Sequence, residues 1–279
     1  MKELGKRILT AVIGIPIALF LFIYGGHPFA VALLIIAGYA MHEFYNLSTA
    51  KGFNPIANIT IVLTMILGGY FYLVFTNSVD FPDNTFFFLL PTLIGTVLLL
   101  AGLFKGKISA IADISISIGG IIYIALPLFS LIAIREFNHF SYIKMEMGYF
   151  VLSMFVAIWV CDSAAYFIGK AVGKNKLFPK HSPKKTWEGA IAGFIFGATA
   201  FVGFNMWLNP NLGLTPSLII GGVITIFCQF GDLVESHFKR DAGVKDSSNF
   251  FPGHGGFLDR FDGVIYVSPI VLMLLILMS

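Results

Sequence analysis

Residues Phe86–Leu100 read FFFLLPTLIGTVLLL and residues Val271–Met278 read VLMLLILM, two runs without a charge and without polar alternation. A lipid-facing β-strand alternates apolar and polar positions over about ten residues, so neither run is a barrel strand and both read as helix. Crossing about 30 Å of hydrocarbon takes roughly 20 helical residues. Working outward, apolar runs of about that length recur near 8–26, 28–47, 54–75, 85–104, 108–134, 148–172, 188–208, 215–235 and 264–279. The whole chain is 57% hydrophobic and 12% charged, against about 25% charged in an ordinary soluble domain. The expected fold is therefore all-α, a polytopic integral membrane protein of about nine transmembrane helices. The first run follows MKELGKR as a signal peptide's would. No small-residue cleavage site follows it, so it is expected to be a retained helix.

Charge placement predicts the orientation. With a cytoplasmic amino terminus and nine crossings, the carboxyl terminus lies outside, and only Arg135 and Lys144 of the 18 lysines and arginines fall on the outer side. Such a bias is the positive-inside pattern. Residues 1–110 read as an N-terminal transmembrane scaffold. Residues 111–279 read as the catalytic region, with cytoplasmic loops 170–187 and 236–263. The first loop, KAVGKNKLFPKHSPKKTW, carries six lysines and no acid. It is either a topology determinant drawn to anionic lipid heads or a phosphate-binding surface. Cys161 and Cys228 both fall in apolar runs and imply no disulfide framework.

Charged residues in hydrocarbon are costly and face a protein interior or a watery cavity, which singles out Asp113, Asp162 and Asp232. Asp113 reads as a polar contact or helix cap. In WVCDSAAYFIGKAVGK, Asp162, Tyr166, Gly169 and Gly173 follow helical spacing and share one face. That face admits a ligand or another helix, and Asp162 is either a site residue or a structural polar contact. Close packing of small residues explains Gly189, Gly193 and Gly197. In GDLVESHFKR, Asp232, Glu235, Ser236 and Lys239 fall at i, i+3, i+4 and i+7, a polar strip on a helix leaving the membrane.

The stretch KDSSNFFPGHGGFLDRFD, Lys245–Asp262, carries the densest chemistry. Its PGHGG run allows tight turning and close approach to a ligand, and successive free amides in such a turn form an anion-binding concavity. Asp259 and Asp262 offer hard oxygen ligands suited to Mg²⁺. With Asp232 on one side and Lys239, Arg240, Lys245 and Arg260 on the other, both halves of a phosphate-transfer site are present. His254 is either a base or phosphate donor, or a structural turn residue. The other histidines, His27, His42, His139, His181 and His237, make no zinc pattern, and there is no Walker motif, GxSxG elbow or HExxH.

From Ser236 through Lys239, Arg240, Lys245, Asp246, Pro252, His254, Gly255, Gly256, Asp259 and Arg260 to Asp262, the chain resembles the signature of the phosphatidate cytidylyltransferase (CDP-diacylglycerol synthase) family. SPKKTWEG, Ser182–Gly189, and CDSAAYFIGKAVGK, Cys161–Lys174, are similar to further segments of that family. The resemblance implies a membrane enzyme, a homodimer, that makes CDP-diacylglycerol and pyrophosphate from CTP and phosphatidic acid in a bacterial inner membrane, with the active site near the cytoplasmic face. It implies Mg²⁺ held by Asp232 and Asp259, with a second cation, K⁺ or another divalent ion, beside it. Asp232, Lys239, Arg240 and Asp259 form the expected catalytic set. The expected substrate contacts are Asp162, Tyr166, Ser182, Lys184, Lys185, Thr186, Ser236, Lys245, Asp246, His254, Gly255, Gly256, Arg260 and Asp262. No nucleic-acid partner is expected. A transporter would want its charges near the midplane rather than at one face, and a CDP-alcohol phosphotransferase would carry a DG-x-x-A-R pattern that is absent.

Overall fold

The computed structural model describes residues 2–76, 85–105, 110–136, 145–180, 182–251 and 255–278. The described chain is a bundle of apolar helices: α1 (Lys2–Tyr24), α2 (Gly26–Ala50), α3 (Ala57–Phe75), α4 (Thr85–Lys105), α5 (Ala110–Gly120), α6 (Leu126–Glu136), α7 (Met147–Val172), α8 (Trp187–Leu208), α9 (Leu214–Asp241) and α10 (Leu258–Met278). A π-helical turn, Ile121–Ala125, joins α5 and α6 into one rod. Helices dominate because hydrocarbon offers no partner for a backbone N–H or C=O, so each span must satisfy its own. Among the described residues, seven helices are long and apolar enough to cross a membrane, and the apolar stretches Val12–Tyr24 and Leu90–Phe104 are shorter.

Small residues set a close seam between α7 and α8. A Cβ on Gly193 would lie 2.9 Å from the Cys161 carbonyl oxygen, and one on Gly197 would lie 2.9 Å from that of Ala157. With little hydrophobic drive between helices in lipid, such close backbone approach is what holds them together. Gly169 and Gly173 also belong to this packing, since a Cβ on either would meet the Thr186 side chain. The face shared by Asp162, Tyr166, Gly169 and Gly173 is therefore split. Its glycine half receives the neighbouring elements, and Asp162 is left open.

The loop expected at 170–187 folds as a short antiparallel hairpin, β1 (Lys176–Phe178) with β2 (Ser182–Thr186). It ends directly in α8, where Thr186 Oγ1 accepts the Gly189 N–H at 3.2 Å as a helix N-cap. Apart from this hairpin and an isolated Phe251–Gly255 bridge, the described regular structure is helical.

The two ends of α2 define the two ends of the bundle. At one, Arg135 donates to the carbonyl oxygens of Phe22 and Ile23 at 2.8 and 2.9 Å, and the Gly26 N–H donates to Glu136 Oε1 at 2.7 Å. At the other, Lys51 Nζ sits 3.0 Å from Asp241 Oδ1 at the end of α9.

Asp113 is a structural clamp, as its local pattern suggests. Its Oδ1 accepts the Asn54 N–H at 2.6 Å, while Ser117 Oγ accepts from Ile56 N at 2.8 Å and the Ser117 carbonyl accepts from the Tyr45 hydroxyl at 2.7 Å. These bonds pin the α2–α3 connection to α5. Asp113→Ala is expected to cost about 1–3 kcal/mol, the penalty for a buried polar group losing its partner, read as a lower Tm in detergent micelles. An unchanged Tm would contradict the clamp.

Candidate active site

The polar strip on α9 becomes a site because two neighbouring helices and the hairpin converge on it. Lys185, from β2, places Nζ 2.5 Å from Asp232 Oδ2, and Ser236 Oγ donates to Asp232 Oδ1 at 3.3 Å. One turn on, Glu235 is completely buried, and Lys239 Nζ lies 2.5 Å from its Oε2 and 2.6 Å from Asp259 Oδ1 on α10. The lysine thus ties α9 to α10. Carboxylate oxygens of Asp232, Glu235 and Asp262 come within 4.8 Å of one another. Asp162, from α7, lines the same cavity as Asp259, Arg260 and Asp262.

Asp259 is held by the loop that precedes it. Its Oδ2 accepts from Ser247 N at 2.9 Å, Ser247 Oγ at 2.6 Å and Gly256 N at 2.8 Å. Gly255 has φ +79°, and a Cβ there would press on the Asp259 carboxyl group. Only glycine tolerates both that left-handed conformation and that contact. Phe251 and Gly255 form an antiparallel bridge, with the Phe251 N–H donating to Gly255 O at 2.9 Å.

A second acid, absent from the expected set, grips the same loop from α2. Glu43 is 4% exposed. Its Oε1 accepts from Ser248 Oγ at 2.6 Å and Phe257 N at 3.0 Å, and its Oε2 accepts from Ser247 Oγ at 3.0 Å and Leu258 N at 2.7 Å. Tyr39, one turn earlier, stacks on Phe257 at 5.1 Å and meets Phe250 at the same distance. The rule that singles out Asp113 applies equally to Glu43, an acid inside the apolar run GYAMHEFYNL. Its partners, some 200 residues away, leave no local trace.

A cavity of about 280 Å³ opens beside this cluster. Asp162, Asp259, Arg260 and Asp262 line its polar side, and Phe22, Phe29, Leu33, Phe155 and Trp159 are among its apolar walls. It therefore joins a charged patch to a greasy one.

The remaining expected residues scatter around this centre. Lys184, Arg240, Lys245, Asp246 and Arg260 are exposed, and Arg240 donates to the Val244 carbonyl at 3.1 Å. Ser182 is half-buried, while the Thr186 hydroxyl is buried in its capping role. Tyr166 is 61% exposed, with Lys170 Nζ 5.9 Å from its ring centroid. His254 lies outside the described residues, as do Pro252 and Gly253. Cys161 and Cys228 are free and buried side by side, Sγ to Sγ 3.5 Å.

The donor set fits a hard divalent cation. Among the described residues, the Asp232, Glu235 and Asp262 carboxylates lie within 4.8 Å of one another and Asp259 joins them through Lys239, while the ion pairs of these four acids are made by Lys185 and Lys239. Such an excess of oxygen anions is the environment that Mg²⁺ takes. Among the described residues no histidine joins a metal-ligand cluster.

The sequence model of the cytidylyltransferase family matches residues 5–278. A phosphatidate cytidylyltransferase of Synechocystis is 34% identical, covering 98% of this chain and 97% of its own. That of Bacillus subtilis is 31% identical over the whole of both chains, and that of Staphylococcus haemolyticus is 32% identical over 98% and 99%.

Proposed function

The chain belongs to the cytidylyltransferase family, and from that premise we propose that it transfers the cytidylyl group of CTP to phosphatidic acid, forming CDP-diacylglycerol and pyrophosphate. The observation that carries the lipid half of this reading is the two-faced cavity. A phosphate head on an acyl body needs cations and carboxylates at one end and aromatic and aliphatic walls at the other, as between Arg260 and Phe29.

An oxygen of the lipid phosphate attacks the α-phosphorus of CTP. The new O–P bond forms as the bond to the bridging oxygen breaks, and pyrophosphate leaves with that electron pair. No protein nucleophile is required, because the lipid phosphate is already anionic, and catalysis rests on positioning and charge stabilisation. Arg260, at the cavity, and Lys185, beside Asp232, are placed for phosphate oxygens near the reacting centre. Lys184, Arg240 and Lys245, exposed around it, suit the outer phosphates. Lys239 has a different position. Held between Glu235 and Asp259, it fixes the two acids relative to each other. Asp232 and Asp259 would hold Mg²⁺, with Glu235 and Asp262 beside Asp232, and a second cation, K⁺ or divalent, would join it. Bound there, the ion supplies Lewis-acid stabilisation of the charge that develops on the phosphates.

We place the site at the cytoplasmic face of a bacterial inner membrane, in a homodimer of nine-span subunits with the amino terminus inside. The lysine and arginine bias supports this orientation, as does the pairing of Lys51 with Asp241 at the site's end of the bundle while Arg135 sits at the other. The test is pyrophosphate release by purified protein supplied with CTP and phosphatidic acid, against CMP release from CDP-diacylglycerol plus an alcohol as a control pair. CMP release from the control pair with no pyrophosphate release from CTP and phosphatidic acid would refute the assignment. Chelation by EDTA is expected to lower turnover at least about 100-fold, the loss of several kcal/mol of charge stabilisation, and added Mg²⁺ to restore it. Full activity in EDTA would remove the metal from the mechanism.

A further inference from the structure

We infer that Glu43, on the second helix and far in sequence from every other polar residue of the site, is a positioning residue for the transfer reaction, holding Ser247 and Ser248 against the start of α10 so that Asp259 faces Lys239. This rests on the function proposed above. Four donors converge on its carboxylate, two from each of two short stretches: the hydroxyls of Ser247 and Ser248 and the backbone N–H groups of Phe257 and Leu258. The last two stand at the start of α10, where a helix leaves N–H groups without internal partners. Glu43 supplies the missing acceptor from another helix.

The consequence reaches the catalytic cluster through one side chain. Ser247 Oγ lies 2.6 Å from Asp259 Oδ2 and 3.0 Å from Glu43 Oε2, and a hydroxyl has a single proton to share between them. From there the contacts run through Asp259 to Lys239 and on to buried Glu235. Gly256 fits this arrangement, since a Cβ at that position would collide with the Glu43 carboxyl group. Tyr39 adds an aromatic hold on Phe250 and Phe257 from the same face of α2. The site is thus clamped to the amino-terminal half of the bundle at a buried acid.

The test compares Glu43→Ala, Glu43→Gln and Ser247→Ala in the full chain, with Asp113→Ala as a control that removes a buried clamp elsewhere on the bundle. Glu43→Ala is expected to lower kcat about 10–100-fold, the usual cost of losing an outer-shell orienting contact. Glu43→Gln, which keeps one acceptor oxygen and must abandon one of the two N–H groups, is expected to recover part of that loss. In the Glu43→Ala/Ser247→Ala double variant the losses are expected to be less than multiplicative, because both act through Asp259. Amide exchange at Phe257 and Leu258 is expected to accelerate in Glu43→Ala and to stay slow in Asp113→Ala. A kcat within twofold of the parent in Glu43→Ala, an equal kcat loss in Asp113→Ala, or fully multiplicative losses would each overturn the inference. Were the parent protein to make no CDP-diacylglycerol at all, the proposed reaction would fall, and the exchange measurement alone would decide whether Glu43 holds the loop; unchanged exchange would overturn it.

Discussion

Asp259→Asn is expected to reduce CDP-diacylglycerol formation by about 1000-fold or more, equivalent to roughly 4 kcal/mol of transition-state stabilisation, in a protein that still purifies as a folded membrane helix bundle. The argument is a donor count. One carboxylate oxygen faces three donors, Ser247 N, Ser247 Oγ and Gly256 N, and the other faces Lys239 Nζ at 2.6 Å. An asparagine has one acceptor oxygen and one NH₂ group. Its oxygen must take the three-donor side, which turns the NH₂ toward the lysine, a donor against a donor. Lys239 then keeps only Glu235 as a charge partner among the contacts described, and the proposed metal loses an anionic ligand. Pyrophosphate release measured at saturating CTP and phosphatidic acid checks the prediction. A rate within tenfold of the parent would show that Asp259 is a loop anchor and not part of the chemistry.

Removing the cation should be as costly for the fold as for the reaction. Lys239→Met leaves Glu235, which is buried, with no counter-charge among the described residues, and frees Asp259 from its ion pair. Breaking a buried pair by deleting one partner costs about 3–5 kcal/mol, because the remaining charge stays desolvated. The expected result is a large fall in Tm together with loss of detectable transfer. The Lys239→Met/Glu235→Gln double variant separates the two effects. Neutralising the stranded acid is expected to recover much of the lost Tm, while activity stays absent because the Asp259 contact is still missing. If Glu235→Gln recovered no stability, the buried pair would not be the reason for the cost.

Much of the chemistry was legible in order along the chain. Asp232, Glu235 and Lys239 lie on one strip because they follow helical spacing, and the structure keeps them on one strip. Asp113 sits within an apolar run and forms a local clamp, the reading its surroundings favour. The Asp162–Gly173 stripe shows where spacing stops being informative. The period says that four residues share a face, but it does not say that Thr186 covers the glycines while Asp162 opens onto a cavity. The 170–187 segment likewise read as a lysine-rich loop, and its hairpin register, Lys176 with Thr186 and Phe178 with Ser182, is what delivers Lys185 to Asp232.

By itself, then, the sequence determined that this is an apolar helical bundle of membrane type, that its basic residues concentrate in two late segments, and that a cytidylyltransferase signature occupies the last of them. These are properties of composition, period and short spacing, each set by residues near one another in the chain. Only the tertiary structure decided that Lys239 is shared between Glu235 and Asp259, that a polar patch and an apolar cavity meet at Arg260, and that Glu43 on α2 caps α10. A hydrogen bond between Leu258 and Glu43 spans 215 positions, and no local pattern encodes it. It exists because the packing of α2 against the loop and α10 leaves two helix-start N–H groups in an apolar interior, where an unpaired donor is too costly to remain.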